Sequence, residues 1–511
     1  MSRKLDVIVN NSGAFICLAE LSDKARQKAR TMFTLKHETL PGIFDSRVCY
    51  KFMVSNNMLL IPRFAVDAYL SAIRFGGKHT IHNQITINTC KFDFECKLQL
   101  TPNQTLVLDH LKENYLKIKY VNANTSGIVI KMAAGQGKTY LAAGIIQHVK
   151  RRVMYVCDSS GLLHQSYQVF SELFGSDKVG KLYGKEKIYG EILICTIHSI
   201  LSDAVNIKLK KYAWENGVRL GKPDIVEFKT VMELYEHYDM IIFDECQRYT
   251  SPEAYKIFKI CQRPYMIGLS ATPEDEIRGF HKILEWNIGP IWDVTELKGF
   301  SMDETNFTGI IKMIKYYGPE GYIEREINEI TGLTAHDKII NKICEDPYRT
   351  ALIIEFIYTL CDKKRNILVF AQTLEYLNNL EEMITNLSVY NIERVHQLRG
   401  SSTKEDFEDA KNNSKVILTT YQYFGVGKSF PHMDSIVFAT PRKTGHIQFV
   451  NRIFRRGGDE SVKRIIYDVV DWLTTLKSQW YKRKVKYEEI AEKQHKLTFK
   501  EYEYKYTDID I

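Results

Sequence analysis

The stretch GIVIKMAAGQGKTYLAAGII, starting at Gly127, constrains this chain more than any other feature. Its apolar beginning reads as a buried strand, Gly127 to Lys131. Gly135, Gly137, Lys138 and Thr139 follow, and then a run that reads as a helix. A bound phosphate asks for this order. Glycines let the backbone approach, N–H groups converge at a helix start, a lysine reaches the β/γ-phosphates and a hydroxyl serves Mg²⁺. The pattern is one glycine short, because Met132 stands in its first place. Strand–loop–helix context outweighs the plain reading of a glycine-rich turn.

Three further runs acquire meaning beside it. In YDMIIFDECQRY an apolar strand ends at Asp244 and Glu245, so both carboxylates emerge at its C-terminal edge, beside the phosphate loop if the two strands are neighbours. Alone, such a pair is more often a helix cap. About a hundred residues after a phosphate loop, it suits a Mg²⁺ ligand next to a group that polarises water. YMIGLSATPEDE is another buried strand, ending in Ser270, Ala271, Thr272 and Pro273. In HIQFVNRIFRRGG a helical register places Gln448, Arg452 and Arg455 on one face, with Arg456 beside them. That face suits either surface ion pairs or arginines aimed at a phosphate.

The texture around these motifs sets the fold class. From 101 onward, apolar runs (RVMYVCD, EILICT) alternate with amphipathic helices, as a parallel sheet covered on both faces requires. The pattern breaks from about Ile291 to Pro347 and resumes as NILVFAQ, RVHQL, KVILTTY, SIVFATP and RIIYDVV. The expectation is α/β: two tandem parallel-sheet domains over 101–295 and 296–471. Before them, 1–100 reads as an α+β accessory domain, with strands at LDVIVN, ITINT and FDFECKLQL. After them, 472–511 reads as a helical tail rich in Lys, Glu and Tyr.

Charge follows that division. The chain of 511 residues carries a formal +8. Residues 1–100 hold 14 Lys+Arg against 8 Asp+Glu, 472–511 hold 9 against 7, and the central block is neutral. A neutral machine with basic attachments is the reading. Lys24, Arg26, Lys28 and Arg30 in the first attachment suit nucleic acid or a solvated helix equally. In the tail, Lys477, Trp480, Tyr481, Lys482, Arg483, Lys484, Lys486 and Tyr487 suit either a strand-stacking surface or a helix that packs its rings inward. The ten cysteines show no zinc spacing, and no apolar run approaches a membrane span. A soluble, reduced, intracellular protein is expected.

GQGKT, DECQ, SATP and QFVNRIFR, in this order, resemble motifs I, II, III and VI of the superfamily 2 helicases. LTPNQ resembles the family's adenine-reading motif, with Gln104 as reader. CDSSGLLHQ, ending at Gln165, and TIHSI, with Thr196, resemble loops that follow a nucleic-acid backbone. TTYQYFGVGKSF resembles motif V through Thr420, Tyr421 and Gly427. The texture is closest to the branch of poxvirus-type transcript-release, phage recombination and XPB-like repair helicases, and points to a large DNA virus. Asn451 and the pair Cys246-Gln247 depart from the usual residues.

The resemblance implies two RecA-like domains with ATP and Mg²⁺ as cofactors. Lys138 would neutralise phosphates, with Gly135 and Gly137 around them, Thr139 and Asp244 would hold Mg²⁺, and Glu245 would orient water. Gln448, Arg452 and Arg455 would serve the transferring phosphoryl group, and Ser270 and Thr272 would couple hydrolysis to the strand. The implied activity is that of an ATP-dependent DNA helicase or translocase stepping 3′ to 5′. Transcript release, with the transcription machinery as partner, or recombination and repair would be its setting. An RNA helicase and a non-catalytic nucleic-acid-binding scaffold are the alternatives, and a restriction-type motor lacks a separate nuclease constellation. For a viral chain the location would be host cytoplasm or virus factory, with packaging in the virion a further option.

Overall fold

A computed structural model describes residues 4–40, 43–74, 78–88, 91–116, 126–133, 135–201, 206–215, 218–260, 262–274, 279–301, 307–327, 334–386, 392, 394–424, 430–442, 446–454, 458–494 and 497–509. The side chains at 39, 40, 43, 260, 404, 447, 448, 489, 490 and 492–494 fall outside the description. The chain forms two compact units, Met1–Ser301 and Met302–Ile511. Among the described residues no helix is long and apolar enough to cross a membrane.

The first unit is organised by a ten-stranded sheet. Its seven parallel strands run in the order Val179–Tyr183, Ile192–Thr196, Val153–Cys157, Met240–Asp244, Tyr265–Ser270, Gly127–Lys131 and Ile291–Asp293. The inner strands VMYVC, MIIFD and YMIGLS are buried along their whole length, as strands covered on both faces must be. Two apolar clusters lie on opposite faces, one including Leu141, Ile145 and Phe170, the other Tyr238, Tyr249 and Ile283. Beyond Val179–Tyr183 the sheet continues through Glu186–Ile188 into a long antiparallel hairpin, Ile207–Glu215 with Val218–Phe228.

Residues 4–83 form a five-stranded sheet with the helices Asp23–Met32 and Val66–Ala72, and they are built into the same unit. Buried Arg47 donates its Nε–H to the Thr250 carbonyl at 3.0 Å, pairs with Asp45, and lies over the Phe280 ring. Buried Arg63 donates to the Pro264 carbonyl, and burial with Arg263 nearby pushes it down to about 9. Phe33 packs edge-on against Trp286. The Phe64 ring lies where a side chain at Gly127 would start, 2.2 Å from that point, which accounts for the glycine opening the phosphate-loop strand.

Two expected strands are not found among the described residues: 85–88 of ITINT, and FDFECKLQL, form no ladder. Phe94, Leu98 and Leu100 do turn into the core, but the Phe92 and Lys97 N–H groups bond to the Lys150 and Leu173 carbonyls. These carbonyls belong to helix ends, whose last C=O groups lack intrahelical partners. The stretch is not a strand, and helix ends instead of a neighbouring strand accept these two N–H groups.

The second unit has seven parallel strands in the order Val395–Leu398, Val416–Thr420, Ile367–Ala371, Ser435–Phe438, Arg464–Asp471, Gly309–Tyr317 and Leu497–Lys505. Gly309–Tyr317 lies inside the stretch where the sequence pattern breaks. The tail is helical over Lys477–Gln494, and its last nine-residue strand adds to the sheet edge. Trp480, Arg483 and Tyr487 are buried, with the Arg483 guanidinium on both Asp468 oxygens at 2.8 and 2.9 Å and the Tyr487 hydroxyl on the same carboxylate. Of the two readings of the tail, inward packing is therefore the one realised, and only Tyr481 among these rings is exposed. Each unit is an α/β layer built on a largely parallel sheet.

Candidate functional site

The phosphate loop is built as the sequence requires. Gly135 and Gly137 take φ of +85° and +78°, a region other residues enter at a cost, and the helix Lys138–Val149 begins directly after them. A side chain on Gly137 would start 2.2 Å from Gln104 Nε2. Gln104 holds this turn: its amide donates to the Gln136 and Gly137 carbonyls at 3.0 and 3.2 Å, while its Oε1 accepts the Thr101 N–H. Thr101 returns a bond to the Gln104 N–H, closing a capping box at the start of helix Pro102–Asn114. The predicted adenine reader is thus fastened to the phosphate loop.

The acidic strand is not the neighbour of the phosphate-loop strand. Tyr265–Ser270 runs between them, paired to both. The condition of neighbouring strands is not met, and the Lys138 side chain crosses the one-strand gap: its Nζ stands 3.6 Å from Glu245 Oε1. Gly268 keeps the intervening strand slim, since a Cβ there would meet Cys246 Sγ at 3.0 Å. Burial, helped by the Glu245 charge, pushes Asp244 up to about 7. Burial also acts to raise Glu245, but Lys138 and the Gln247 amide hold it below the ordinary carboxylate range. A buried carboxylate whose burial outweighs the Lys138 charge could hold a divalent cation, with Thr139 in the first turn of the helix that follows the phosphate loop. Glu245 itself takes a φ of +48°, a conformation a non-glycine residue keeps only where its surroundings enforce it.

Gln247, noted in the sequence only as a departure, joins the motifs. Its Nε2 donates to Glu245 Oε2 at 2.8 Å, its Oε1 accepts the Ser270 hydroxyl at 2.5 Å, and Ser270 Oγ accepts the Thr272 N–H at 3.0 Å. One chain of contacts therefore runs from Lys138 through Glu245 and Gln247 to Ser270 and Thr272. Replacing Gln247 by alanine breaks it at two bonds. The expected outcome is a loss of about tenfold in nucleic-acid-stimulated ATP hydrolysis, with a smaller loss in the unstimulated rate, measured by phosphate release. Equal loss in both would make Gln247 a support for Glu245 alone.

At the C-terminal ends of two other strands lies a cavity of about 640 Å³, lined among others by Asp158, Ser159, Thr196, His198 and Lys187. Thr196 is buried with its hydroxyl on Ser199 at 2.9 Å. Arg248, one residue past Gln247, pairs with Asp158 at 2.8 Å and ties this edge to the acidic turn. Gln165 is exposed and is not among the residues lining the cavity.

In the second unit, Thr420 ends a buried strand and accepts the Tyr423 N–H. Tyr421 is buried, stacked on Phe370, with its hydroxyl on the Thr440 carbonyl. The helix His446–Val450 stops before Arg452. The N–H groups of Arg452 and Ile453 bond to Phe449 and Val450, three residues back, so the α-helical register expected from 448 to 455 is not kept to Arg452. Buried Phe449, Val450 and Ile453 hold this tighter turn in the core. Arg452 is buried over the Phe424 ring. Gly427, Arg455, Arg456 and the Gln448 side chain lie outside the described residues.

Residues 97–275 match the family described as "Type III restriction enzyme, res subunit". That match spans the capping box, the phosphate loop, the acidic turn and Thr272. The chain is 31% identical over 268 residues to "Putative ATP-dependent RNA helicase QP509L" of African swine fever virus (strain Badajoz 1971 Vero-adapted), covering 49% of this chain and 50% of that protein. It is 25% identical over 376 residues to "Putative ATP-dependent RNA helicase L396" of Acanthamoeba polyphaga mimivirus, covering 73% and 64%. The chain thus spans about half the length of the African swine fever virus relatives it matches. Among solved structures, phage T4 UvsW aligns at 14% identity with a TM-score of 0.38, over 98% of this chain and 99% of that one.

Proposed function

We propose that the chain is a nucleic-acid-stimulated ATPase of the superfamily 2 helicase type, working as a helicase or translocase. The observation that carries this reading is the run of contacts Lys138–Glu245–Gln247–Ser270–Thr272, which joins a phosphate loop to a strand end of the same sheet. Lys138 binds the β/γ-phosphates in exchange for its contact with Glu245. Glu245, released from the lysine but still held by Gln247, orients the attacking water. Thr139 and Asp244 would hold Mg²⁺, which would neutralise charge on the phosphate oxygens. A change at Glu245 is felt at Ser270 through Gln247, and at the strand-end cavity through Arg248 and Asp158.

Arg452 and Arg455 are assigned to the transferring phosphoryl group on the resemblance of QFVNRIFR to motif VI. Replacing Arg455 by alanine is expected to lower turnover by about three orders of magnitude while sparing nucleotide binding. Equal loss of both would mean a folding defect.

DNA is the polymer suggested by the motif texture, and an RNA strand is favoured by the names of the viral relatives. ATP hydrolysis by the purified chain with single-stranded DNA, duplex DNA, a DNA:RNA hybrid and RNA, compared side by side, decides between them. No stimulation by any of the four would leave the scaffold reading. Stepping 3′ to 5′, a role in transcript release or recombination, and contact with transcription machinery belong to this proposal.

A further inference from the structure

The hairpin Ile207–Glu215 with Val218–Phe228 is a large element of the first unit that the phosphate chemistry does not use. Its base is anchored: Ile207, Leu209 and Phe228 are buried, and the Tyr189 N–H bonds to the Lys210 carbonyl. Beyond the base it leaves the core. Val218, Leu220 and Ile225 are 63%, 41% and 53% exposed, a pattern that gives the outer half no core to stabilise. The register shifts between Lys211 and Ala213, and Gly221 on the facing strand takes φ of +58°, so the ribbon bends there.

The outer part is chemically distinctive. Trp214 stands opposite Arg219 in the ladder, and the Arg219 guanidinium lies 4.6 Å from the Tyr212 ring centre and 5.1 Å from that of Trp214. Lys208, Lys210, Lys211, Arg219 and Lys222 are all exposed, against Glu215, Asp224 and Glu227. Two half-exposed rings under a planar cation, inside a net positive ribbon, form a surface on which bases stack and phosphates are attracted. Ile207, at the hairpin's base, also lines the strand-end cavity with Thr196 and His198, so the ribbon continues outward from it.

The geometry points to the outer hairpin as a binding surface for single-stranded nucleic acid, with Tyr212, Trp214 and Arg219 as the stacking platform and the lysines as backbone contacts. The surface extends the strand-end cavity and rests on the reading of the chain as a motor that follows a strand. An exposed edge strand also invites pairing with another chain. The surplus of cations on the hairpin favours the polyanion.

The test uses the full chain, with Trp214→Ala and Arg219→Ala each compared with the parent. Binding of fluorescein-labelled oligo(dT) and oligo(rU), about 20 nucleotides long, is followed by anisotropy without ATP, and thermal unfolding reports folding. The expected result is an affinity about tenfold lower in each variant with an unchanged unfolding midpoint, Trp214→Phe keeping most of the affinity. Loss on one oligonucleotide only would name the polymer. Parent-level affinity in both folded variants would overturn the proposal. A changed oligomeric state with unchanged oligonucleotide binding would also overturn it and make the hairpin a protein-pairing edge. Should either alanine variant lower the unfolding midpoint, Lys222→Glu, at the exposed outer strand, carries the same expectation of weaker binding and a shallower salt dependence. A parent that binds neither oligonucleotide and hydrolyses no ATP would sink the motor reading instead. A parent that does both, with variants like it, would sink the hairpin alone.

Discussion

Lys138→Ala is expected to abolish most ATP turnover, by roughly a hundredfold to a thousandfold, in a chain that unfolds at the parent's temperature. The side chain belongs to the phosphate loop's helix start, and its contacts are the Glu245 carboxylate and, at 3.5 Å, the Met132 carbonyl. Neither holds the loop together, since Gln104 and the capping box do that. Loss of the amine should therefore remove function and spare the fold. Nucleotide affinity falls along with turnover, because the charge acts on the ground state as well as on the transferring group. Steady-state phosphate release, nucleotide titration and a melting curve on one preparation check all three. A variant that turns over at the parent rate would remove the phosphate-loop assignment.

Glu245→Gln should cost turnover about a hundredfold to ten-thousandfold and leave nucleotide binding intact or tighter. The sign of the binding change follows from the ion pair. In the parent, an incoming γ-phosphate competes with the Glu245 carboxylate for Lys138. A neutral amide withdraws that competitor, and shape is nearly conserved. What would be lost is the negative oxygen proposed to orient and polarise water. Rapid-quench single turnovers with a labelled nucleotide separate the two effects: a normal bound fraction with a slow chemical step is the expected pattern. A variant that has lost binding in proportion to turnover would assign Glu245 to the architecture of the turn, where its φ of +48° gives it a structural part as well.

Motif residues were legible because each depends on local chemistry. Gly135 and Gly137 are needed where the backbone turns left-handed, and strand ends were marked by apolar runs stopping at Asp244 and Ser270. The relay between them was not legible. Gln247 looks like a neutral substitution in the sequence, and its importance comes from standing where one amide reaches both Glu245 and Ser270. The same holds for the tail. Cations interleaved with rings have one sequence signature whether the rings meet bases or a core. Asp468, on the sheet strand 15 residues before Arg483, is the buried carboxylate on which Arg483 and Tyr487 turn inward.

The basic ends acquire a different meaning for the same reason. Part of the surplus at 1–100 is spent inside the first unit: Arg47 and Arg63 are buried against the Thr250 and Pro264 carbonyls. The exposed cations of the hairpin, by contrast, lie within the block whose total is zero.

By itself the sequence determined the chemistry available: a phosphate loop, an acidic strand end, two parallel-sheet layers, each set by the preferences of a few consecutive residues. Tertiary structure alone decided which strand separates lysine from carboxylate, which arginines are buried, and that a hairpin with Tyr212, Trp214 and Arg219 stands free. Those outcomes depend on partners remote in the chain, and local propensity carries no information about which remote group will arrive.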